Sequence, residues 1–244
     1  MAPRLLVGAV FGESPLAFEL ERAGHIVRPI DAERDPGAIA HVDLVLLEGS
    51  ADEVRWAAAQ LAPYARPRQM FLHTVLEEGA QLLDDVETAH AIVMCAHNLF
   101  GEVWVTSAAD EVGETVVGLL LAEVGGTSMR INDADRLTVA AAQELRALEF
   151  TVRDDALEVL SSVLPDFDAV APQFLEAPPA AHGAFGPEEL DKLIAALPTP
   201  GVRRLFVDLQ RRRGELAQDV DIELWVMGKY EGCLLYTSPS PRDS

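Results

Sequence analysis

Along the first 131 residues, apolar positions fall in short blocks separated by segments where they recur at helical spacing. Arg4 to Phe11 is a short apolar run, followed by Ser14 and Pro15 and then by Leu16, Phe18, Leu20 and Ala23 before Gly24. The run predicts a buried strand. The segment after it predicts a helix capped by Ser14, opened by Pro15 at its first position and ended by Gly24. Residues 25–31 predict a second strand closing on an acid, and residues 42–47 a third. Asp52 to Leu61 reads as a helix, and residues 69–74, 91–96 and 102–106 as strands. A helix from Glu111 to Val124 ends at Gly125 and Gly126 and is followed by Ser128 to Ile131, where the first unit closes. Strands alternating with helices at this spacing predict a parallel sheet covered on both faces.

From Asp133 the pattern becomes helical. Asp133 to Leu164 is a long stretch rich in Ala, Leu and Glu, Pro172 to Pro187 reads as a loop, and Pro187 to Leu197 as a helix. Residues 202–227 predict one or two further helices. The fold class is therefore α/β, an N-terminal doubly wound sheet over residues 1–131 followed by an all-α domain over 132–232. There is no internal repeat and no heptad seam.

Composition narrows the function classes. Nineteen Lys and Arg against 40 Asp and Glu give the 244-residue chain a formal charge of -21. That charge repels phosphate backbones, which argues against nucleic-acid binding. No apolar run approaches the roughly 18 residues of a membrane span, and residues 1–7 carry no signal-peptide pattern, so a cytoplasmic setting and no membrane partner are expected. Two cysteines, Cys95 and Cys233, cannot by themselves make a disulfide framework or a zinc site, and no metal is expected. From Cys233 to Ser244 the text changes sharply and resembles translated sequencing-adapter DNA. Residues 233–244 are set aside as a non-native tail, with the natural gene expected to continue past Gly232.

In a doubly wound sheet the first strand-helix turn is where a dinucleotide pyrophosphate sits, because glycines admit the backbone and the helix N-terminus faces the anion. Gly8 stands at a fitting distance before Gly24, but the next two glycine positions of Gly-x-Gly-x-x-Gly hold Val10 and Glu13, with Gly12 one place early. Gly8, Gly12 and Ser14 are the candidate phosphate contacts. Asp31 suits the ribose-hydroxyl acceptor and favours NAD, whereas Arg34 could pair with the 2′-phosphate of NADP. The competing reading of these residues is a sheet of this kind that no longer binds a nucleotide, with Asp31 a plain loop acid.

Three segments carry a family resemblance. Residues 96–101, Ala-His-Asn-Leu-Phe-Gly, follow a predicted strand at the carboxyl edge of the sheet and resemble the His-Pro-Met-Phe-Gly motif of prephenate dehydrogenases, within the 6-phosphogluconate-dehydrogenase-like group. Residues 134–137 (Ala-Asp-Arg-Leu) with 143–146 (Gln-Glu-Leu-Arg) are similar to the family's His-Asp and Gln-Ala-Leu-Arg-His positions. Residues 197–205, with 216–219 and 224–225, resemble its Ser-Ser-Pro-x-Tyr-Arg-Leu and Ala-Gln-Asp-Pro-x-Leu-Tyr segments. The likeness runs in order over residues 4–230.

The resemblance implies a Rossmann-like NAD(P)-binding domain and an oxidative decarboxylation, with hydride passing from a hydroxyl-bearing ring carbon to NAD as CO2 is lost. It implies His97 as acid/base, Arg146 as anchor of a substrate carboxylate, Thr74 and Gln143 as further substrate contacts, and a homodimer through the helical domain for the complete gene. The chain also departs from the family. Val75-Leu76-Glu77 stands for Ser-Val-Lys, Ala134 for the His of His-Asp, Ala147 for the histidine after the binding arginine, and Asn98 for proline. These departures leave the substrate open beyond a small carboxylate, and keep a silent metabolite-binding or interaction protein as the rival reading. Phosphate-loop, nucleophile-elbow and zincin motifs are absent. Cys95, between Met94 and Ala96, is expected to be a buried inert thiol.

Overall fold

The structure is a computed structural model and describes residues 4–12, 14–176 and 185–234. Glu13 and residues 235–244 of the tail lie outside the described residues. The compact units divide between Arg146 and Ala147.

The first unit is built on seven strands: β1 (Leu6–Ala9), β2 (Ile26–Pro29), β3 (Leu44–Leu47), β4 (Met70–His73), β5 (Ile92–Phe100), β6 (Val103–Ala108) and β7 (Thr127–Arg130), in spatial order β2-β1-β3-β4-β5-β6-β7. The pairs from β2 to β5 are parallel, as the alternation of strands and helices predicts, and so is β6 with β7. Only β5 and β6 run antiparallel, joined by a tight turn in which Gly101 takes φ +51°. The segment expected to follow the fifth strand is instead its continuation, with His97 opposite Val105. Between β2 and β3 the chain crosses through a 3-10 turn, Pro36–His41, so β2 is the sheet edge.

Helices α1 (Pro15–Arg22), α2 (Ala51–Leu61), α3 (Asp84–Glu87) and α4 (Glu111–Glu123) cover the sheet. Their starts follow local chemistry. Ser14 caps α1 by accepting from the Ala17 N–H, Ser50 and Glu53 form a capping box on α2, and Asp110 accepts from Gly113 on α4. Gly24, at φ +101°, ends the α1 turn in a conformation that favours glycine. The strands alternate between two cores. Leu44 and Leu46 face Leu16, Leu20 and Leu121, while Val45 and Leu47 face Val54, Leu61 and Phe71. All four β3 residues are buried, each contributing roughly 1.5–3 kcal/mol of transfer free energy. That is the continuous apolar run of a strand covered on both faces.

The long helix α5 (Arg136–Ser161) begins in the first unit and continues into the second. The second unit holds α6 (Ala171–Glu176), α7 (Pro187–Ala196), α8 (Pro200–Ala217) and α9 (Val220–Leu234). The helical stretch read from 202 to 227 is two helices because Gln218 adopts a left-handed conformation, φ +55°. Leu190, Val207, Ile222, Trp225 and Val226 form its core, and the Trp225 indole N–H donates to Asp191 at 2.8 Å. In the basic run at 211–213, Arg211 and Arg212 both reach Glu215, at 3.0 and 3.1 Å. Among the described residues no helix is long and apolar enough to cross a membrane, and no cluster of His, Cys, Asp or Glu could hold a metal ion.

Candidate functional site

The parallel strands β1, β3, β4 and β5 all point their carboxyl ends to one edge, so the loops leaving them converge there. At the β5 end, His97 is half-buried and its Nδ1–H donates to the Thr74 carbonyl at 2.7 Å. This bond selects the tautomer in which Nε2 keeps its lone pair, the form a general base needs. Thr74, expected to touch substrate, contributes here through its carbonyl, as the group that orients the imidazole.

The loop carrying Thr74 is held down by a buried polar network. His73 accepts from the Val75 N–H at Nδ1 (3.2 Å) and donates from Nε2 to the Gly79 carbonyl (2.9 Å). Burial pushes its pKa down to about 4, which keeps the ring neutral. Arg136, 1% exposed, donates to the Leu76 carbonyl (3.0 Å), to Asp133 (3.0 Å) and to the Ser107 hydroxyl (2.6 Å), and Ser107 donates to Asp133 (3.1 Å). Gly79 is required beside them, because a Cβ there would overlap the Asp133 carboxylate. Cys95 is buried against the same loop, its S–H directed at the Val75 carbonyl at 3.4 Å, and burial raises its pKa to about 12. It is the inert thiol expected. The Arg136, Asp133 and Ser107 network escapes sequence reading: Arg136 lies inside a segment compared with the family motif, but only the sheet order brings Ser107 and the 74–80 loop to it.

Gln143 and Arg146, one helical turn apart on α5, both meet the β5-β6 turn. The Gln143 amide donates to the Leu99 carbonyl at 3.2 Å, and the Arg146 guanidinium stands 5.9 Å from the centre of the Phe100 ring. Gln143 and Arg146 thus meet Leu99 and Phe100, at the end of the strand that carries His97.

The nucleotide-type residues lie at the ends of β1 and β2. A cleft of about 340 Å³ is lined by Val10, Phe11, Gly12, Asp31 and Trp56 among others. Asp31 Oδ1 accepts from the Glu33 and Arg34 N–H groups, both at 3.0 Å, and Oδ2 lies 3.8 Å from the Arg34 guanidinium. With its side chain half exposed, Asp31 keeps a face toward the cleft. Gly8 is needed for packing, since a Cβ would come within 2.7 Å of Ile30. Gly12 turns the loop at φ +90° with open space around it.

At the first turn of α1, where a pyrophosphate would be expected, a protein carboxyl is already present. Glu48, the residue after β3, is directed at the Leu16 and Ala17 N–H groups, and its Oε2 is buried without a hydrogen-bond partner among the described residues. Burial raises its pKa to about 7, against the pull of those two N–H groups. The ribose end of a dinucleotide therefore fits the residues present. The phosphate end fits only with Glu48 uncharged, when it becomes a hydrogen-bond donor instead of a second anion.

No curated protein sequence matches the chain. Among solved structures it is similar to Mycobacterium tuberculosis 3-hydroxyisobutyrate dehydrogenase, at 15% identity and TM-score 0.53, covering 93% of this chain and 99% of that one. It is also similar to Plasmodium falciparum pyrroline carboxylate reductase with NADP bound, at 11% identity and TM-score 0.55, with 93% and 97% covered. Synechocystis arogenate dehydrogenase matches at 15% identity and TM-score 0.51, with 94% and 96% covered. These likenesses establish the fold, an N-terminal Rossmann-like sheet with a helical C-terminal region. Residues 132–229 match the family model described as 6-phosphogluconate dehydrogenase C-terminal domain-like.

Proposed function

We propose that the chain is an NAD(P)-dependent dehydrogenase acting on a small hydroxy-carboxylate, with prephenate or a related carboxylate as the substrate class. The observation that carries this reading is the imidazole of His97, locked by the Thr74 carbonyl with its free nitrogen available at the carboxyl edge of the sheet. A bound nicotinamide dinucleotide supplies the hydride acceptor. His97 Nε2 takes the hydroxyl proton as the carbon is oxidised, and Arg146 holds the carboxylate with Gln143 beside it. Asp31 holds the adenosine ribose, with Gly12 and Ser14 at the phosphate turn.

The second reading, a catalytically silent metabolite-binding or interaction protein on the same fold, is favoured by Val10 in place of a glycine and by the Glu48 carboxyl at α1. Titration with NADH and with NADPH, followed by the fluorescence of Trp56 in the cleft, separates the two. The dehydrogenase reading expects saturable binding; its absence at millimolar cofactor would sink it. His97→Asn is expected to lower turnover by about 10²–10⁴-fold with cofactor affinity unchanged, and undiminished turnover would remove His97 from the chemistry.

A further inference from the structure

The carboxyl of Glu48 lies where the fold places a diphosphate. β3 pairs directly with β1, so the residue leaving β3 emerges beneath the turn that starts α1. Pro15 has no N–H to offer, and the Ala17 N–H is shared with the Ser14 hydroxyl at 3.2 Å. The donors of this turn that a phosphate would use are the ones facing Glu48. Its Oε2 is shut off from solvent with no partner among the described residues, an unstable position for a charged oxygen.

The neighbouring elements supply no counter-charge. β1 has no titratable residue, α1 has no acid in its first turn, and β4 contributes His73, which is neutral. The first turn of α2 carries Asp52 and Glu53, and Glu53 is turned onto Ser50, accepting its N–H at 2.8 Å. Glu48 makes no ion pair among the described residues, and Glu13 of the turn lies outside them.

We propose that Glu48 is a proton-operated occupant of the phosphate seat, so that a nicotinamide dinucleotide binds only as this carboxylate takes up a proton from solvent. The inference rests on the cofactor reading above. Ionised, Glu48 satisfies the α1 donors itself and repels a diphosphate across a water-poor contact. Protonated, it leaves those donors free and offers an O–H to a phosphate oxygen. The free carboxyl titrates near pH 7, so this exchange falls in the physiological range. An anion bound beside it raises its pKa further, and linkage then requires net proton uptake on binding at neutral and alkaline pH.

Calorimetric titration of the whole chain with NADH, in buffers of different ionisation enthalpy, measures that uptake directly. The wild type should take up about one proton per NADH bound near pH 8, and Kd should rise about tenfold per pH unit above neutrality. Glu48→Gln should show neither the uptake nor the pH slope, and should bind at pH 8 as tightly as the wild type does at pH 6. Glu48→Ala, which empties the seat, should also lose the pH slope. NADPH is titrated in parallel at pH 7.5 and above, where its phosphate monoester has lost its second proton. Binding without proton uptake, or with equal uptake in Glu48→Gln, overturns the inference and leaves the cofactor reading standing. Folded wild type and variants that bind neither nucleotide at any pH overturn both.

Discussion

Glu48, half-buried just after β3, and His73, buried at the end of the neighbouring β4, are both held toward the neutral form by burial: the carboxyl is raised to about 7 and the imidazole lowered to about 4. Their effects on stability have opposite pH windows. The unfolded carboxyl ionises near 4.5, so between pH 4.5 and 7 the unfolded state releases a proton that the folded state keeps. Folding loses stability across that range, and the penalty stays constant above it. For His73 the loss comes as pH falls from 6.5 toward 4, where the unfolded ring protonates and the folded one does not. A full loss is on the order of 3 kcal/mol. Urea unfolding should therefore find Glu48→Gln more stable than wild type at pH 8, with the gap closing toward pH 4. A gap independent of pH would mean that Glu48 is not a buried ionised group. At this scale the sequence showed Cys95 as an inert thiol and His97 as the histidine in matching text. It did not show Glu48, because a glutamate leaving an apolar strand reads as an ordinary solvated end.

At the scale of elements, the loop from Thr74 to Ala80 owes its shape to groups on β4, β5, β6 and the start of α5. Arg136 is the centre of this arrangement, with three bonded nitrogens and almost no exposure. Arg136→Met would leave the Leu76 carbonyl without its donor and Asp133 with Ser107 as its remaining partner, a loss of about 1–3 kcal/mol. The same change should reduce hydrogen-exchange protection of residues 74–80, because the loop loses an anchor. Unaltered urea stability and unaltered exchange in that loop would show that the network is dispensable. The sequence pattern located α1, α2 and α4 well, since Ser14, Ser50 and Asp110 act on the next turn of their own chain, but it read as loop the residues that form α6, Ala171–Glu176. It placed the fifth strand's end too early, stopping at Ala96, because the polar His97 and Asn98 read as a loop. In the sheet they are held by the antiparallel ladder to β6.

For the whole molecule, the homodimer expected of the helical half remains a proposal, supported by Leu216, Leu224 and Met227, each more than half exposed on α8 and α9. A net charge of -21 opposes association of two copies, so dimerisation should tighten as salt screens it. Light scattering should give twice the mass of one chain, with the dimer fraction rising with ionic strength. A single-chain mass at all salt concentrations would overturn the proposal. By itself the sequence determined the succession of strands and helices, the caps that start them, and an apolar sheet covered on both faces, because periodicity and capping act over a few residues of one chain. Only the tertiary structure decided that β6 runs against its neighbour, that Thr74 sets the His97 tautomer, that Arg136 is buried, and that the Glu48 carboxyl faces the α1 donors. Each of these joins residues brought together by strand order, and a local pattern carries no record of which strands will be neighbours.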